Sequence, residues 1–245
     1  MTATPPKWFA PYRARISWLE FNQNLQVDLP HGYVYFEVAK AACSTIKSRL
    51  NPVAARGLPE PKTVHPAVFE SAFAKPFQLT DDIMAAVLSG QNFTRFTFIR
   101  EPMERFVSGY LDKFGRASPQ QDRFRKRHFP DIDPEAVISA EMFLSALEND
   151  PKFRAFDKHW RPQTELLFQP EQELDFIGTL ERFEEDWDLL CERLDLPVET
   201  LRNDVVWHAT SAAEKVNNTL TPDQKRRVEH LFAADFEFYE NHARR

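Results

Sequence analysis

Lys40, Ser44, Thr45 and Lys47 lie close together in the segment Ala39-Lys-Ala-Ala-Cys-Ser-Thr-Ile-Lys47. Two ammonium groups and two hydroxyls at one turn, together with the free N–H groups of a helix start, can wrap a phosphate. A second segment runs Phe98-Ile-Arg-Glu-Pro-Met-Glu-Arg-Phe-Val-Ser-Gly-Tyr-Leu-Asp-Lys-Phe114. Here Arg100 offers a planar fork of donors and Ser108 a hydroxyl, and the two can meet one phosphate. Two such segments predict a ligand with two separate phosphate groups. Each segment alone has a plainer explanation. The first is also an ordinary strand–helix turn capped by a serine. The second is also an exposed helix face, with Arg105, Ser108 and Asp112 opposite Phe106 and Tyr110 and an ion pair such as Glu101–Arg105. The Walker A pattern G-x-x-x-x-G-K-[ST] is absent, so hydrolysis of a nucleoside triphosphate is not expected.

The elements that must position these groups follow from the apolar pattern. Residues 33–38 are a nearly continuous apolar run, as in a buried parallel strand. A helix is predicted from about Ser44, ending by Asn51-Pro52, because proline disfavours helix at the residue before it. Residues 52–79 hold five prolines and read as loop. Thr80-Asp-Asp starts a helix carrying Ile83, Met84, Val87 and Leu88. Residues 93–99 are the second strand. Pro102 suits a first helical position. Met103, Phe106, Val107, Tyr110, Leu111 and Phe114 then follow one helical face. A helix over 134–147, a strand over 174–177 and a stripe of Phe183, Trp187, Leu190, Cys191 and Leu194 come next. Thr221-Pro-Asp-Gln224 is a capping box that opens the last helix. Residues 1–30, with Pro5, Pro6, Pro11 and Pro30, read as an irregular lead-in. Strands alternating with helices predict an α/β domain with a mainly parallel sheet.

The chain has 245 residues, 22 of them Phe, which is enough for one domain with a substantial core. Its net charge of −6 argues against a general nucleic-acid binder. The two cysteines, Cys43 and Cys191, make neither a disulfide framework nor a cysteine zinc site, and a reducing compartment fits best. There is no signal-peptide h-region, and no run approaches the ~20 apolar residues of a membrane span.

The two segments together resemble the nucleotide-binding motifs of the sulfotransferases that use 3′-phosphoadenosine 5′-phosphosulfate (PAPS), and most of all the carbohydrate sulfotransferases of the chondroitin group. The family's first motif reads roughly P-K-x-G-C-T-T-W-K and its second F-V-R-D-P-F-E-R-L-V-S-A-Y-x-x-K-F. His159-Trp-Arg-Pro-Gln163, Asp175-Phe-Ile-Gly-Thr-Leu-Glu-Arg-Phe-Glu-Glu-Asp186 and the stretch from Leu220 to Tyr239 are similar to further family segments. The resemblance covers roughly residues 31–240. Ala39 and Ala42 depart from the motif's proline and glycine.

The resemblance implies a single domain with the three-layer, P-loop-kinase-like sulfotransferase fold around a central, mainly parallel sheet. It implies PAPS as co-substrate and no metal. Lys40, Ala41, Ala42, Cys43, Ser44, Thr45 and Lys47 would bind the 5′-phosphosulfate, and Arg100 and Ser108 the 3′-phosphate. Lys40 would neutralise the leaving oxygen. The acceptor hydroxyl, on a glycan by family likeness, needs a general base. His65, between the two motifs, is the expected one; His159 and then Glu70 follow. His128 is expected to touch solvent or acceptor. The basic insertion 115–133, with Arg116, Arg123, Arg125, Lys126 and Arg127, is either a solvated loop or a lid over an anionic acceptor. Lys215 is a thin candidate for a nucleotide contact. Family members in animals work in the Golgi behind a membrane anchor. The absence of an anchor here predicts a cytoplasmic, bacterial enzyme. A kinase on a related fold, or a module that binds nucleotide or anionic glycan without turnover, are the competing classes.

Overall fold

A computed structural model of the chain describes residues 5–57, 59–115, 119–133, 135–197 and 212–243. In chain order the helices are α1 (Trp18–Asn24), α2 (Cys43–Ala55), α3 (Asp81–Ser89), α4 (Pro102–Phe114), α5 (Pro119–His128), α6 (Ala140–Asn149), α7 (Pro151–Phe156), α8 (Gln163–Leu166), α9 (Phe183–Arg193), α10 (Ala212–Thr219), α11 (Pro222–Leu231) and α12 (Ala233–Ala243). The strands are β1 (Leu25–Asp28), β2 (Tyr33–Phe36), β3 (Thr94–Ile99) and β4 (Phe176–Thr179). They form two compact units, residues 1–99 with 163–207 and residues 100–162 with 208–245.

The first unit holds a sheet in the order β1-β2-β3-β4. β2, β3 and β4 are parallel, with Tyr35 beside Phe96 and Phe96 beside Phe176; β1 is antiparallel to β2. This is the mixed α/β architecture with a mainly parallel central sheet that the alternation of strands and helices predicts. Alternate residues face opposite sides of a strand. Tyr33, Tyr35, Phe96, Phe98 and Phe176 therefore share one face, and Ile46 and Leu50 of α2 with Phe183, Trp187 and Leu190 of α9 cover it. Gly178 lies under the Phe98 ring, where a Cβ would collide. On β3, Arg95 binds Asp175 through two nitrogens, 2.9 Å each, and donates to the Leu88 carbonyl of α3.

Three sequence expectations change in this unit. Residues 1–30 are not an irregular lead-in. They contain α1, capped by Ser17 accepting from the Glu20 N–H, and β1, all four residues of which are buried. The prolines flank these elements rather than interrupt them, and Phe9, Tyr12, Trp18 and Phe21 pack as one aromatic group that reaches Phe168. The helix after the first motif does not stop at Asn51. Pro52 lies inside α2, which ends at Ala55. A proline removes one N–H from the ladder but keeps a helical φ, and its carbonyl still accepts from Arg56 N–H. The stretch 52–79 is thus not all loop: it also holds single 3-10 turns at Val68–Glu70 and Pro76–Gln78.

The second unit is helical. Met103, Phe106, Val107, Tyr110 and Phe114 of α4 are buried against Phe143, Leu144 and Leu147 of α6 and against Val216, Leu220, Val228 and Phe232. Leu111, read into the same stripe, is 37 % exposed at its edge. The helix predicted over 134–147 begins only at Ala140, because Ser139 caps it by accepting from Met142 N–H; Pro134 lies outside the described residues. The capping box at Thr221 and Gln224 is present at α11.

The basic insertion 115–133 is not a solvated loop. α5 spans much of it and buries Gln121, Phe124 and Arg125. Arg125 donates to the Ala136 carbonyl and to Asp122, and Arg127 pairs with Asp150 at 2.7 Å. A guanidinium's five donors let it tie loop carbonyls to a helix. Arg116 lies outside the described residues. No helix among the described residues is long and apolar enough to cross a membrane.

Candidate functional site

The turn between β2 and α2 bends sharply, with positive φ at both Lys40 (69°) and Ala42 (61°). Ala42 caps α2 in left-handed geometry and offers no side-chain hydrogen bond. The first N–H groups of a helix depend on partners outside its own ladder, and no side chain at the N-cap position supplies one here. Such backbone, at the positive end of a 13-residue helix, favours an anion. The expected serine cap is therefore absent: Ser44 is inside the helix. Ala41 and Ala42 are buried, while Lys40, Cys43 and Ser44 are half-buried. The Thr45 hydroxyl is buried and has no hydrogen-bond partner. A buried hydroxyl without a partner costs stability. These groups fit a phosphate or sulfonate.

His65 comes to this turn from the chain beyond α2. Its Nε2 lies 2.9 Å from Ser44 Oγ and its Nδ1 2.6 Å from Lys47 Nζ. An ammonium has no acceptor, so Lys47 donates to Nδ1. The neutral ring then carries its proton on Nε2 and donates it to Ser44. Lys47 is itself buried and donates to Glu37 Oε2 at 2.8 Å. Glu37 is 1 % exposed; it also accepts from Gln26 Nε2 at 3.3 Å. Gln26 in turn accepts from Lys75, which also donates to the Leu25 carbonyl. The first motif is therefore backed by a chain of polar groups that is buried from Lys75 through Gln26 and Glu37 to Lys47 and continues through the exposed His65 to Ser44. Sequence reading missed Glu37, Gln26 and Lys75. The signal for Glu37 was present, as the one acidic residue within the apolar run 33–38.

The second motif lies at the start of the helical unit. Arg100 sits 3.4 Å from Glu104, and Glu101 caps α4 by accepting from Glu104 N–H. Ser108 is half-buried on α4. Arg105 is not on an exposed face. It is 3 % exposed and donates to the Arg161 and Lys158 carbonyls. That clamps the loop carrying His159, whose own carbonyl lies where a Cβ on Gly109 would be, 2.8 Å away. His159 Nδ1 is 2.5 Å from Asp157. Burial pushes the Asp157 carboxyl up, but the bonds and charge of His159 outweigh it and hold it below the usual range.

The weaker candidates separate. Glu70 is exposed on a 3-10 turn and Lys215 is exposed on α10. His128 does not face solvent as expected: it is half-buried, 5.0 Å from the Phe124 ring and 4.5 Å from that of Phe153. Phe124 of α5 and Phe153 of α7, both core residues, flank it.

A profile of the sulfotransferase family matches residues 23–241. Carbohydrate sulfotransferase 14 of Danio rerio is 30 % identical over 191 residues, 71 % of this chain and 49 % of the relative. Carbohydrate sulfotransferase 12 of Xenopus laevis is 28 % identical over 253 residues, 87 % of this chain and 59 % of the relative. Carbohydrate sulfotransferase 9 of Homo sapiens is 26 % identical over 185 residues, 71 % of this chain and 42 % of the relative. The chain spans about half the length of the curated relatives it matches. No solved structure matches significantly.

Proposed function

Because the chain belongs to the sulfotransferase family, we propose that it transfers the sulfuryl group of PAPS to a hydroxyl of a carbohydrate acceptor. The observation that carries this reading is the uncapped start of α2, where Lys40, Ser44 and the unpartnered, buried Thr45 hydroxyl gather beside His65 and Lys47. The relatives described above are carbohydrate sulfotransferases, which supports a sugar acceptor.

In this reading the acceptor oxygen attacks sulfur in line with the bridging oxygen of the donor. The new O–S bond forms as the old one breaks, and adenosine 3′,5′-bisphosphate leaves with the bond's electron pair. The transition state is loose, so positioning and charge stabilisation do most of the work. Lys40 and the α2 amides neutralise charge on the leaving oxygen. An ammonium has three N–H donors, and two of Lys47's go to Glu37 and His65, which leaves one for a donor oxygen. His65 takes the acceptor proton. Its proton is on Nε2, so Nδ1 is the basic atom: Lys47, still held by Glu37, turns from the ring to the sulfonate and Nδ1 takes the acceptor proton. Arg100 and Ser108 are assigned to the 3′-phosphate on the likeness of the second segment.

Calorimetric titration with adenosine 3′,5′-bisphosphate and with AMP tests the donor assignment. Tighter binding of the bisphosphate without added magnesium, weakened by Arg100→Ala or Ser108→Ala, is expected. Equal affinity for both nucleotides overturns the 3′-phosphate site. Binding without transfer from labelled PAPS to any of a panel of polysaccharides would favour a non-catalytic module.

A further inference from the structure

Buried carboxylates are uncommon unless they are paired and bonded, because desolvation penalises the charge. Glu37 is the one acidic residue of the β2 run, its side chain wholly buried beside an equally enclosed Lys47. A lysine ammonium on a four-carbon stem is mobile and strongly hydrated, and it stays in one buried position only where a counter-charge holds it. Glu37 supplies that charge at 2.8 Å; Gln26 holds the same carboxylate oxygen at 3.3 Å, and Lys75 holds Gln26 from behind. Lys47 then presents its next N–H to His65 Nδ1 at 2.6 Å. One ring nitrogen's partner decides where the other's proton sits.

We propose that Glu37 is a positioning residue for the transfer reaction: by anchoring Lys47 it sets which nitrogen of His65 carries the proton and keeps Nε2 directed at Ser44. Gln26 and Lys75 are the outer part of the same support. Glu37 touches neither donor nor acceptor in this scheme. It acts through Lys47, as outer-layer partners do when they orient the groups that react. The catalytic consequence rests on the proposed sulfotransfer, but the effect on the ring does not.

The test is nitrogen-15 spectroscopy of the imidazole groups in the ligand-free protein, with His65 identified by its loss in His65→Ala. Wild type is expected to show His65 as one tautomer with the proton on Nε2. Glu37→Gln, which keeps shape but removes the charge, is expected to release Lys47 and give a mixture of tautomers. Lys47→Met should give the same mixture. Should Glu37→Gln not fold, Glu37→Asp keeps the charge but withdraws it by about one bond length, and the same signals should shift part of the way. A single Nε2–H form in these variants overturns the proposal. In steady state, Glu37→Gln should lower kcat by about tenfold or more while KM for the acceptor stays within a few-fold. An unaltered kcat with an altered tautomer would sink the catalytic role alone. Absence of any transfer by wild type, with the tautomer effect intact, would sink the sulfotransferase reading and leave the positioning standing.

Discussion

Lys47 and His65 are joined by a 2.6 Å contact between Nζ and Nδ1, and the same imidazole reaches Ser44 through its other nitrogen. A cation on one ring nitrogen and a hydroxyl on the other is unlike a carboxylate-backed imidazole. His159, backed by Asp157, is the carboxylate-backed case in this chain. The two histidines therefore differ in the partner of Nδ1: an ammonium for His65 and a carboxylate for His159.

His65→Ala separates binding from chemistry. His65 is exposed, so its loss should leave the unfolding midpoint nearly unchanged. Adenosine 3′,5′-bisphosphate should bind within a few-fold of wild type. Transfer from labelled PAPS should fall by roughly 10²-fold or more, the contribution of a positioned general base. A variant that retains transfer would move the base role to His159, which His159→Ala would then reveal.

Thr45→Val should act in opposite directions on stability and binding. Valine fills nearly the same shape without the buried, unpartnered hydroxyl. Removing it is expected to stabilise the ligand-free protein by about 1 kcal/mol. The same change should weaken bisphosphate binding by about five- to tenfold, the loss of one hydrogen bond to a charged group. Urea midpoints and calorimetry read the two effects. Weakened stability with unaltered affinity would show that the hydroxyl serves the fold and not a ligand.

Ala42→Gly should stabilise the turn. Ala42 has φ of 61°, in the left-handed region. That conformation costs an L-residue about 1–2 kcal/mol, and glycine avoids it at some loss of unfolded-state entropy. A net gain of about 0.5–1 kcal/mol is expected as a higher urea midpoint with the same slope. A lower midpoint would mean that the Ala42 methyl group, 5 % exposed among the core side chains, contributes more by packing than the turn loses to strain.

His128 should make the protein acid-sensitive. Burial lowers its pKa, Arg127 adds to this, and Asp150 opposes it. Above the ordinary histidine value of about 6.5 the ring is neutral in both folded and unfolded chains and adds no pH dependence. As pH falls below that value, the unfolded chain takes up the proton first, and stability is lost until the lower folded value is passed. Urea midpoints at about pH 7.5 and pH 5.5 should differ less in His128→Leu than in wild type. An equal pH difference in the two proteins would assign the acid sensitivity to other groups.

Much of the architecture was local information. The apolar runs of β2 and β3, the helical stripe of α4 and the capping box at Thr221 are patterns of neighbours, and short-range sterics and burial read them directly. The hydroxyls and cations of the two motifs were visible for the same reason. α1 and β1 were not, because prolines around them imitate a loop and only packing against β2 and Phe168 makes them regular. The full length of α2 was hidden by Pro52, which costs a hydrogen bond but does not forbid one more turn.

What the chain order alone determined is the strand–turn–helix form of the first motif and the residue types placed there. What the tertiary structure decided is which of those groups act on one another. Lys47 lies ten residues from Glu37 and eighteen from His65, and Gln26 lies eleven from Glu37 and forty-nine from Lys75. No local spacing rule relates such positions. They meet because β1, β2 and α2 close around them, and the Glu37 carboxylate offsets the cost of burying the Lys47 ammonium.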